Sequence, residues 1–472
     1  MHRREFLRAT GGAILATAAC GRLSGLPMTT GTTRVAAVGD CMITRKLSIL
    51  DHNTFGPVRE LLRGVDVCFG NCEMTFPDPE MIPAVTGSCG DLNNSAEGPM
   101  AEELHWAGFN LMATANNHAL DYGPEGMYAT SHKLDQAGIA HAGTGRNLAD
   151  ASAPAYWDYS SGRGALVACA SSFRNFSAAA SGNGEIPGRP GLSPLRVRTQ
   201  YRVDEEQLKT LQGIARELFP EGSGELVPPA TGDFVFLGNH FVAGSPPDVL
   251  SEGVARDMER IVASVRRGKR NAGLVIVSIH AHESDRQRVI PAKFLPKFAH
   301  ACVDAGCDVF VGHGPHVLRG MELYKGKPIF YSLGNFIFEA ESMRQIPQEI
   351  YDTCSLSGDD PSEFFDRAMK GFAAPEFWQS VLALPSFSGG ELSELKLYPI
   401  DLQSDLPRAE RGAPVLASGK TAKEIIDRLA RLSAPFGTRI EFRNGIGHVD
   451  VGHNKQAKNF DVGRTRYRSS LA

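Results

Sequence analysis

The chain has 472 residues, 42% of them hydrophobic and 22% charged, with 50 glycines and 28 prolines. That is globular composition at a length that buries most of its apolar surface, so no disulfide framework or structural metal is needed to hold it folded. With 49 basic and 53 acidic residues the net charge is −4 and neither half is strongly basic, which excludes the electrostatic footprint of a nucleic-acid-binding protein.

In chain order, Met1-His2-Arg3-Arg4-Glu5-Phe6-Leu7 sets an arginine pair just before Phe-Leu, and residues 9–19 are apolar or small and uncharged. Residues 1–26 read as a twin-arginine export signal, with an apolar run too short to span a bilayer. Cys20 follows Thr17-Ala18-Ala19 and precedes Gly21, a lipoprotein-like box with Thr17 where Leu is usual. A lipid anchor at Cys20 and a soluble periplasmic or secreted form both stay open. The other eight cysteines form no CxxC pair. Cys68, Cys169 and Cys302 lie in apolar runs and read as small core residues; one disulfide stays open.

From Arg34 onward, short apolar runs alternate with helical patterns. Strands are expected over 35–38, 65–69, 110–115, 165–170, 274–279 and 309–311, of the kind covered on both faces. Helices are expected over 100–107, 124–137, 204–218 (opened by the capping box Asp204-Glu205-Glu206-Gln207), 254–265 and 291–305. Further on, 392–400 reads as a strand, 421–432 as an amphipathic helix, and 440–451 as a hairpin around Asn444-Gly445. This alternation predicts one α/β domain over 33–450. Two stretches break it, 174–200 and 339–391, and read as loop insertions; 453–472 reads as a loose polar tail.

The polar residues recur at one address. Asp40, Glu73, Asn117, His118, His280, His313 and His316 each come just after an expected strand. In open α/β sheets ligands bind outside the carboxyl ends of the strands, so five strands deliver carboxylates, an amide and imidazoles to one edge. Such donors without a thiolate suit Mn, Fe, Zn or Co. One or two such ions polarise a phosphoryl oxygen and activate water, and a further histidine protonates the leaving oxygen.

The strings Gly39-Asp40, Asn71-Cys72-Glu73, Asn116-Asn117-His118-Ala119-Leu120-Asp121-Tyr122-Gly123, Gly312-His313-Gly314-Pro315-His316 and Tyr331-Ser332-Leu333-Gly334-Asn335-Phe336 resemble the CapA family of capsule and poly-γ-glutamate synthesis proteins. The resemblance covers roughly residues 33–340. It implies the fold of the calcineurin-like metallophosphoesterases, a four-layer α/β/β/α sandwich. It also implies roles. Asp40 would hold a first ion, Glu73 would take the bridging position, and Asn117 and His280 would hold a second ion. His313 and His316 would be divided between the ions. His118 would be the acid or transition-state stabiliser, oriented by Asp121. The sequence departs from that pattern in three places. Asp40 is followed by Cys41 and Met42, not by an Asp-x-His imidazole; Glu stands at 73 for the usual Asp; and His313 and His316 have two residues between them. His282 and Glu283, where many members carry Trp-Gly, are candidates for the missing ligand.

Arg189 and Arg196 are candidate grips for an anionic substrate. Gly238-Asn239-His240 copies a metallophosphoesterase string but lies away from the family motifs. Two functions stay open: a metal-dependent hydrolase acting on a phosphoester or a polyglutamate-like anionic polymer, and a non-catalytic scaffold holding acidic polymer or partners in a membrane-bound capsule-synthesis complex.

Overall fold

Burial of both faces of the central strands generates the architecture. In a computed structural model, which describes residues 31–50, 54–84, 92–220, 233–343, 346–356 and 360–452, the expected apolar runs become strands whose successive side chains face opposite sides. The export-signal segment, Cys20 and the 453–472 tail lie outside the described residues.

The largest sheet has ten strands. Its parallel part comprises β1 (Thr32–Met42), β2 (Val67–Cys72), β3 (Leu111–Ala113) and a short strand at Ala140–Ala142. The crossovers carry helices α1 (Gly56–Arg63), α2 (Pro99–Ala107) and α3 (Gly123–Gln136). A second sheet of six strands is centred on β5 (Leu274–His280), which lies parallel between β4 (Gly162–Ala170) and β6 (Val309–His313). Helices α4 (Ala255–Asn271) and α5 (Phe294–Asp304) follow the pattern expected for those stretches.

Three apolar clusters result. Ala36, Val38 and Cys68 pack with Leu62 of α1, Leu104 of α2 and Leu134 of α3. The opposite faces of the same strands, Val35, Ala37, Val67 and Phe69, pack with Leu166, Ile276, Val309 and Val311 of the second sheet. That sheet's other face, Val167, Val275 and Val277, packs with Ile261, Val265, Phe298 and Cys302. Full burial of each such Val, Leu, Ile or Phe is worth about 1.5–3 kcal/mol, so a one-residue register slip that reversed the faces would be very costly. Cys41, Cys68, Cys72, Cys169, Cys302 and Cys307 are buried free thiols within this packing.

The stretches expected to be irregular carry structure. Within 339–391 stand a short helix, α6 (Pro361–Ala368), and a strand, β8 (Gln379–Ser388). β8 pairs antiparallel with β1 and with β9 (Glu391–Asp401) inside the ten-stranded sheet. Val197–Val203, Phe234–Phe236, Asn239–Ala243 and Asp248–Gly253 form a separate four-stranded sheet; helix Glu205–Leu218, after the first of them, opens with the expected capping box between Asp204 and Gln207. Helix α7 (Gly419–Ser433) and the closing hairpin, Ile440–Arg443 with Ile446–Val449, form where expected. Among the described residues no helix is long and apolar enough to cross a membrane.

Candidate metal centre

Register brings the polar residues together. Asp40 of β1 stands opposite Asn71 of β2, and opposite Asn335 of β7 (Asn335–Phe338), which joins the end of β1 in parallel. On the second sheet His280 and His313 are direct partners across β5 and β6. Two close backbone approaches let the edges meet. A Cβ on Gly39 would lie 1.8 Å from the Gly334 carbonyl oxygen, and Gly314, at φ +110°, leaves 3.2 Å between its Cβ position and His280 Nε2. Only glycine fits either place.

Asp40, Glu73, His280 and His313 are fully buried at this junction. Asp40 Oδ1 accepts a hydrogen bond from Asn71 Nδ2 at 2.8 Å and Oδ2 one from the Gly314 amide at 3.0 Å. His313 Nδ1 lies 3.4 Å and His280 Nδ1 3.8 Å from Oδ1, and His316 Nδ1 lies 3.6 Å from Oδ2. On the other side Glu73 Oε1 lies 3.5 Å from His280 Nε2 and 4.0 Å from His118 Nε2. His282 Nε2 closes the group, 2.9 Å from His280 Nε2. Donor atoms within 4.8 Å of one another fall into three overlapping groups: Asp40, His280 and His313; Glu73, His280 and His282; Asp40, Glu73 and His316.

The donor set fits a metal ion. Neither Glu73 oxygen receives a hydrogen bond, and Asn117 Oδ1, also buried, has no partner. Buried oxygens of that kind are costly unless something positive faces them. Imidazole nitrogens also crowd together, with His280 Nδ1 and His313 Nδ1 3.0 Å apart. Ligands at about 2.0–2.1 Å from one ion stand roughly that far from each other. His280 offers one nitrogen to each side, and a neutral ring coordinates through only one of them.

Electrostatics divides the carboxylates. Burial alone would push Asp40 up, but the imidazoles of His313, His280 and His316 outweigh it and hold the carboxyl well below its usual range. Glu73 is pushed up, by burial and then by the charge of Asp40. Burial, with the neighbouring rings, lowers His280 and His316 and brings His282 down to about 3, so these imidazoles are neutral, ligand-ready bases.

At the mouth, His118 Nδ1 is 2.6 Å from Asp121 Oδ2, the orientation expected of that pair. Asp121 Oδ2 also accepts from the Asn94 amide at 2.7 Å, and Arg174 Nη1 lies 3.9 Å from Asp121 Oδ1. Asn117, His118, His282 and His316 line a cleft of about 440 Å³ together with Arg174 and Arg288.

Other expected residues stand elsewhere. Arg196 is bound to Asp257 on α4, with Nη1 2.9 Å from Oδ2, and Arg189 donates through Nε to the Ala178 carbonyl at 3.0 Å. Neither lines the cleft. Glu283 accepts from the hydroxyls of Ser171 and Ser172, both at 2.8 Å, which supports the loop carrying His282. His240 of the Gly238-Asn239-His240 string pairs with Asp233 beside the four-stranded sheet.

Sequence reasoning passed over several neighbours. Asn335, which the sequence marks only as part of the Tyr331–Phe336 string, has its Oδ1 2.8 Å from His316 Nδ1 while its Nδ2 donates to the Phe377 carbonyl. Ser278 Oγ contacts His313 Nε2 at 2.7 Å, fixing the ring. Arg319, 1% exposed, donates to the carbonyls of Ala281, His282 and Arg288 and so ties down the segment that presents His282. Its signal was a lone cation in the apolar run Val317-Leu318-Arg319-Gly320-Met321.

Fold and buried donor set define a mixed α/β protein with a candidate metal centre. The bacterial capsule synthesis protein family PGA_cap matches residues 34–340, and the chain belongs to this CapA family. The chain is similar to the uncharacterized protein y4sH of Sinorhizobium fredii (strain NBRC 101917 / NGR234), at 38% identity over 438 residues, 88% of this chain and 92% of that protein. It is also similar to the capsule biosynthesis protein CapA of Bacillus anthracis, at 26% identity over 309 residues, 64% of this chain and 59% of that one. A crystal structure of a hypothetical protein from Thermus thermophilus aligns with 78% of this chain and 99% of its own, at 14% identity and a TM-score of 0.35.

Proposed function

We propose that this protein is an exported, metal-dependent hydrolase of the phosphoesterase type that serves capsule or poly-γ-glutamate synthesis. The observation that carries the reading is the fully buried Asp40–Glu73–His280–His313 junction, with unpaired Glu73 oxygens, opening through His118 onto a cleft. Asp40, His280 and His313 would hold one ion; Glu73, with His282 or His316, and Asn117 would hold a second or complete the first. A bound Mn, Fe or Zn ion would supply Lewis acidity toward a phosphoryl or carbonyl oxygen. Around it, His118, oriented by Asp121, delivers a proton to the leaving oxygen, and Arg174 and Arg288 bind the anion. The three stacked apolar clusters support a four-layer α/β/β/α sandwich spanning 33–450. The Arg3-Arg4 signal supports export to the periplasm or beyond, with Cys20 as the point of lipid attachment where an anchor is used.

A second reading rests on β1. Cys41 and Met42 stand where an Asp-x-His imidazole is usual, which favours a retired enzyme that holds acidic polymer or partners in a membrane-bound assembly. Metal content of the exported form (residues 27–472) separates the two. We expect one or two equivalents of transition metal, lost in an Asp40→Ala/His280→Ala variant. His118→Ala should keep its metal while phosphoester turnover falls about 10²- to 10⁴-fold. A protein that takes up no Mn, Fe or Zn under anaerobic loading is the scaffold, and the hydrolase reading is then wrong.

A further inference from the structure

The cleft beside the metal centre is chemically two-sided. Its floor is polar: Asn117, His118, His282 and His316, with Arg174 and Arg288 also in the lining. Its wall is apolar, built by Phe364, Phe365, Ala368, Met369 and Phe372, and Leu92 adds to the apolar lining. Helix α6 supplies the first three and the turn at Met369–Phe372 the rest. All five lie beyond residues 34–340, the stretch that matches the capsule-synthesis family. The wall is anchored. Phe364 and Phe365 are 2% and 3% exposed, and Phe372 packs on Phe338 and Phe377 at ring separations of 5.5 and 5.0 Å. It also reaches the reacting end, for the Phe372 ring lies 5.7 Å from that of His316. Among the described residues that line the cleft Glu341 is the one carboxylate, and it is held by Arg411 at 2.5 and 2.7 Å, so it does not set a negative field across the wall.

A chain of γ-linked glutamates carries a carboxylate at every repeat. Among the described residues the wall itself offers such a chain no cation, since Arg408, over the Phe365 ring, is already paired with Glu341 and Asp366; burying unpaired carboxylates against five apolar side chains is unfavourable. A cleft of about 440 Å³ has the size of a small-molecule site. We propose that the substrate is an amphiphilic phosphate ester, with its anionic head on the metal-centre floor between Arg174 and Arg288 and its apolar substituent on the wall formed by Phe364, Phe365, Ala368, Met369 and Phe372. This rests on the hydrolase reading and names the substrate class of the same site. Residues within 34–340 handle the phosphate, and residues 361–372 select what is attached to it.

The test is calorimetric binding to the metal-loaded protein, independent of turnover. Ethyl phosphate and octyl phosphate, the latter below its micelle concentration, share a head and differ by six methylenes. Each methylene that leaves water strengthens binding roughly fourfold, so octyl phosphate should bind at least about 100-fold tighter. Ala368→Trp fills the cleft from a partly exposed position without removing core packing and should collapse the octyl-to-ethyl ratio toward one; Phe372→Ala, whose ring is also partly exposed, should lower it. If both phosphates bind within about threefold of each other, or γ-linked triglutamate binds tighter than octyl phosphate, the proposal is overturned while the hydrolase reading stands. If neither phosphate binds, both fall. Cosedimentation with phosphatidylcholine vesicles containing phosphatidic acid supports a membrane-held source of the ester; octyl phosphate binding without it supports a soluble one.

Discussion

His118 and Asp121 are three residues apart, and the turn after β3 converts that spacing into a 2.6 Å contact between Nδ1 and Oδ2. Burial pushes the Asp121 carboxyl up while His118 and Arg174 pull it down. An Asp121→Asn variant keeps the shape but replaces the acceptor that fixes the imidazole tautomer. Turnover on a phosphodiester probe should fall about 10²- to 10⁴-fold, as for other histidines stripped of their carboxylate. Metal content should not change, because Asp121 belongs to none of the donor groups. Unchanged turnover would show that His118 needs no such partner. At this scale the sequence was informative wherever a residue sits on the end of a buried strand, because strand ends share one edge. It was uninformative in loops. Arg189 and Arg174 look alike in the sequence, and only the path of the backbone shows that Arg174 lines the cleft while Arg189 is bonded to a nearby carbonyl.

At the scale of elements, the site depends on segments that hold one another. The stretch after β5 carries His282 and has little regular structure of its own; the buried Arg319 secures it through hydrogen bonds of 2.8, 3.3 and 3.2 Å to the carbonyls of Arg288, Ala281 and His282. Burial lowers this guanidinium to about 9, which still leaves it charged at neutral pH. Replacing it by Met leaves three carbonyls unsatisfied, at about 1–3 kcal/mol each before relaxation. Arg319→Met should therefore cost about 3–5 kcal/mol in urea unfolding and weaken metal retention in the folded protein. An unchanged unfolding midpoint would mean that water replaces the guanidinium at no cost. The parallel strands were legible as unbroken apolar runs. β8 was not: Pro385 and three serines interrupt Gln379–Ser388, and its burial comes from β1 and β9 on either side. The strand Val197–Val203 was hidden for another reason: its start lies within the Ser-, Gly- and Pro-rich stretch read as a loop insertion, although Val197, Thr199, Tyr201 and Val203 alternate with Arg198, Gln200 and Arg202, and it is half-buried along its whole length.

Taken as a whole, the molecule holds six titratable groups of the centre together, four of them fully buried and His282 and His316 on the cleft, and this couples folding to the ion. Burial and Asp40 raise Glu73, so the folded chain without metal keeps that proton to higher pH than the unfolded chain does. By linkage it loses stability as pH rises from the ordinary glutamate range through the raised value. His280, His282 and His316 run the other way. Held low chiefly by burial, they stay neutral while the unfolded chain's imidazoles take up protons below 6.5, so their contribution is present above that value and is lost as pH falls. An ion favours the Glu73 carboxylate and uses the neutral rings, so its binding displaces protons at low pH and fewer at high pH. Stabilisation by Mn at a hundredfold excess over Kd should reach about 2.7 kcal/mol near neutrality. The shift in melting temperature should shrink steadily from about pH 7.5 to about pH 5.5 as protons compete for the ligands. Thermal melts with and without Mn across that range check this, with Glu73→Gln as the reference. In that variant the shift should be smaller and less dependent on pH, because the group that exchanges its proton for the ion is gone. An equal, pH-independent shift in both proteins would place the ion away from Glu73.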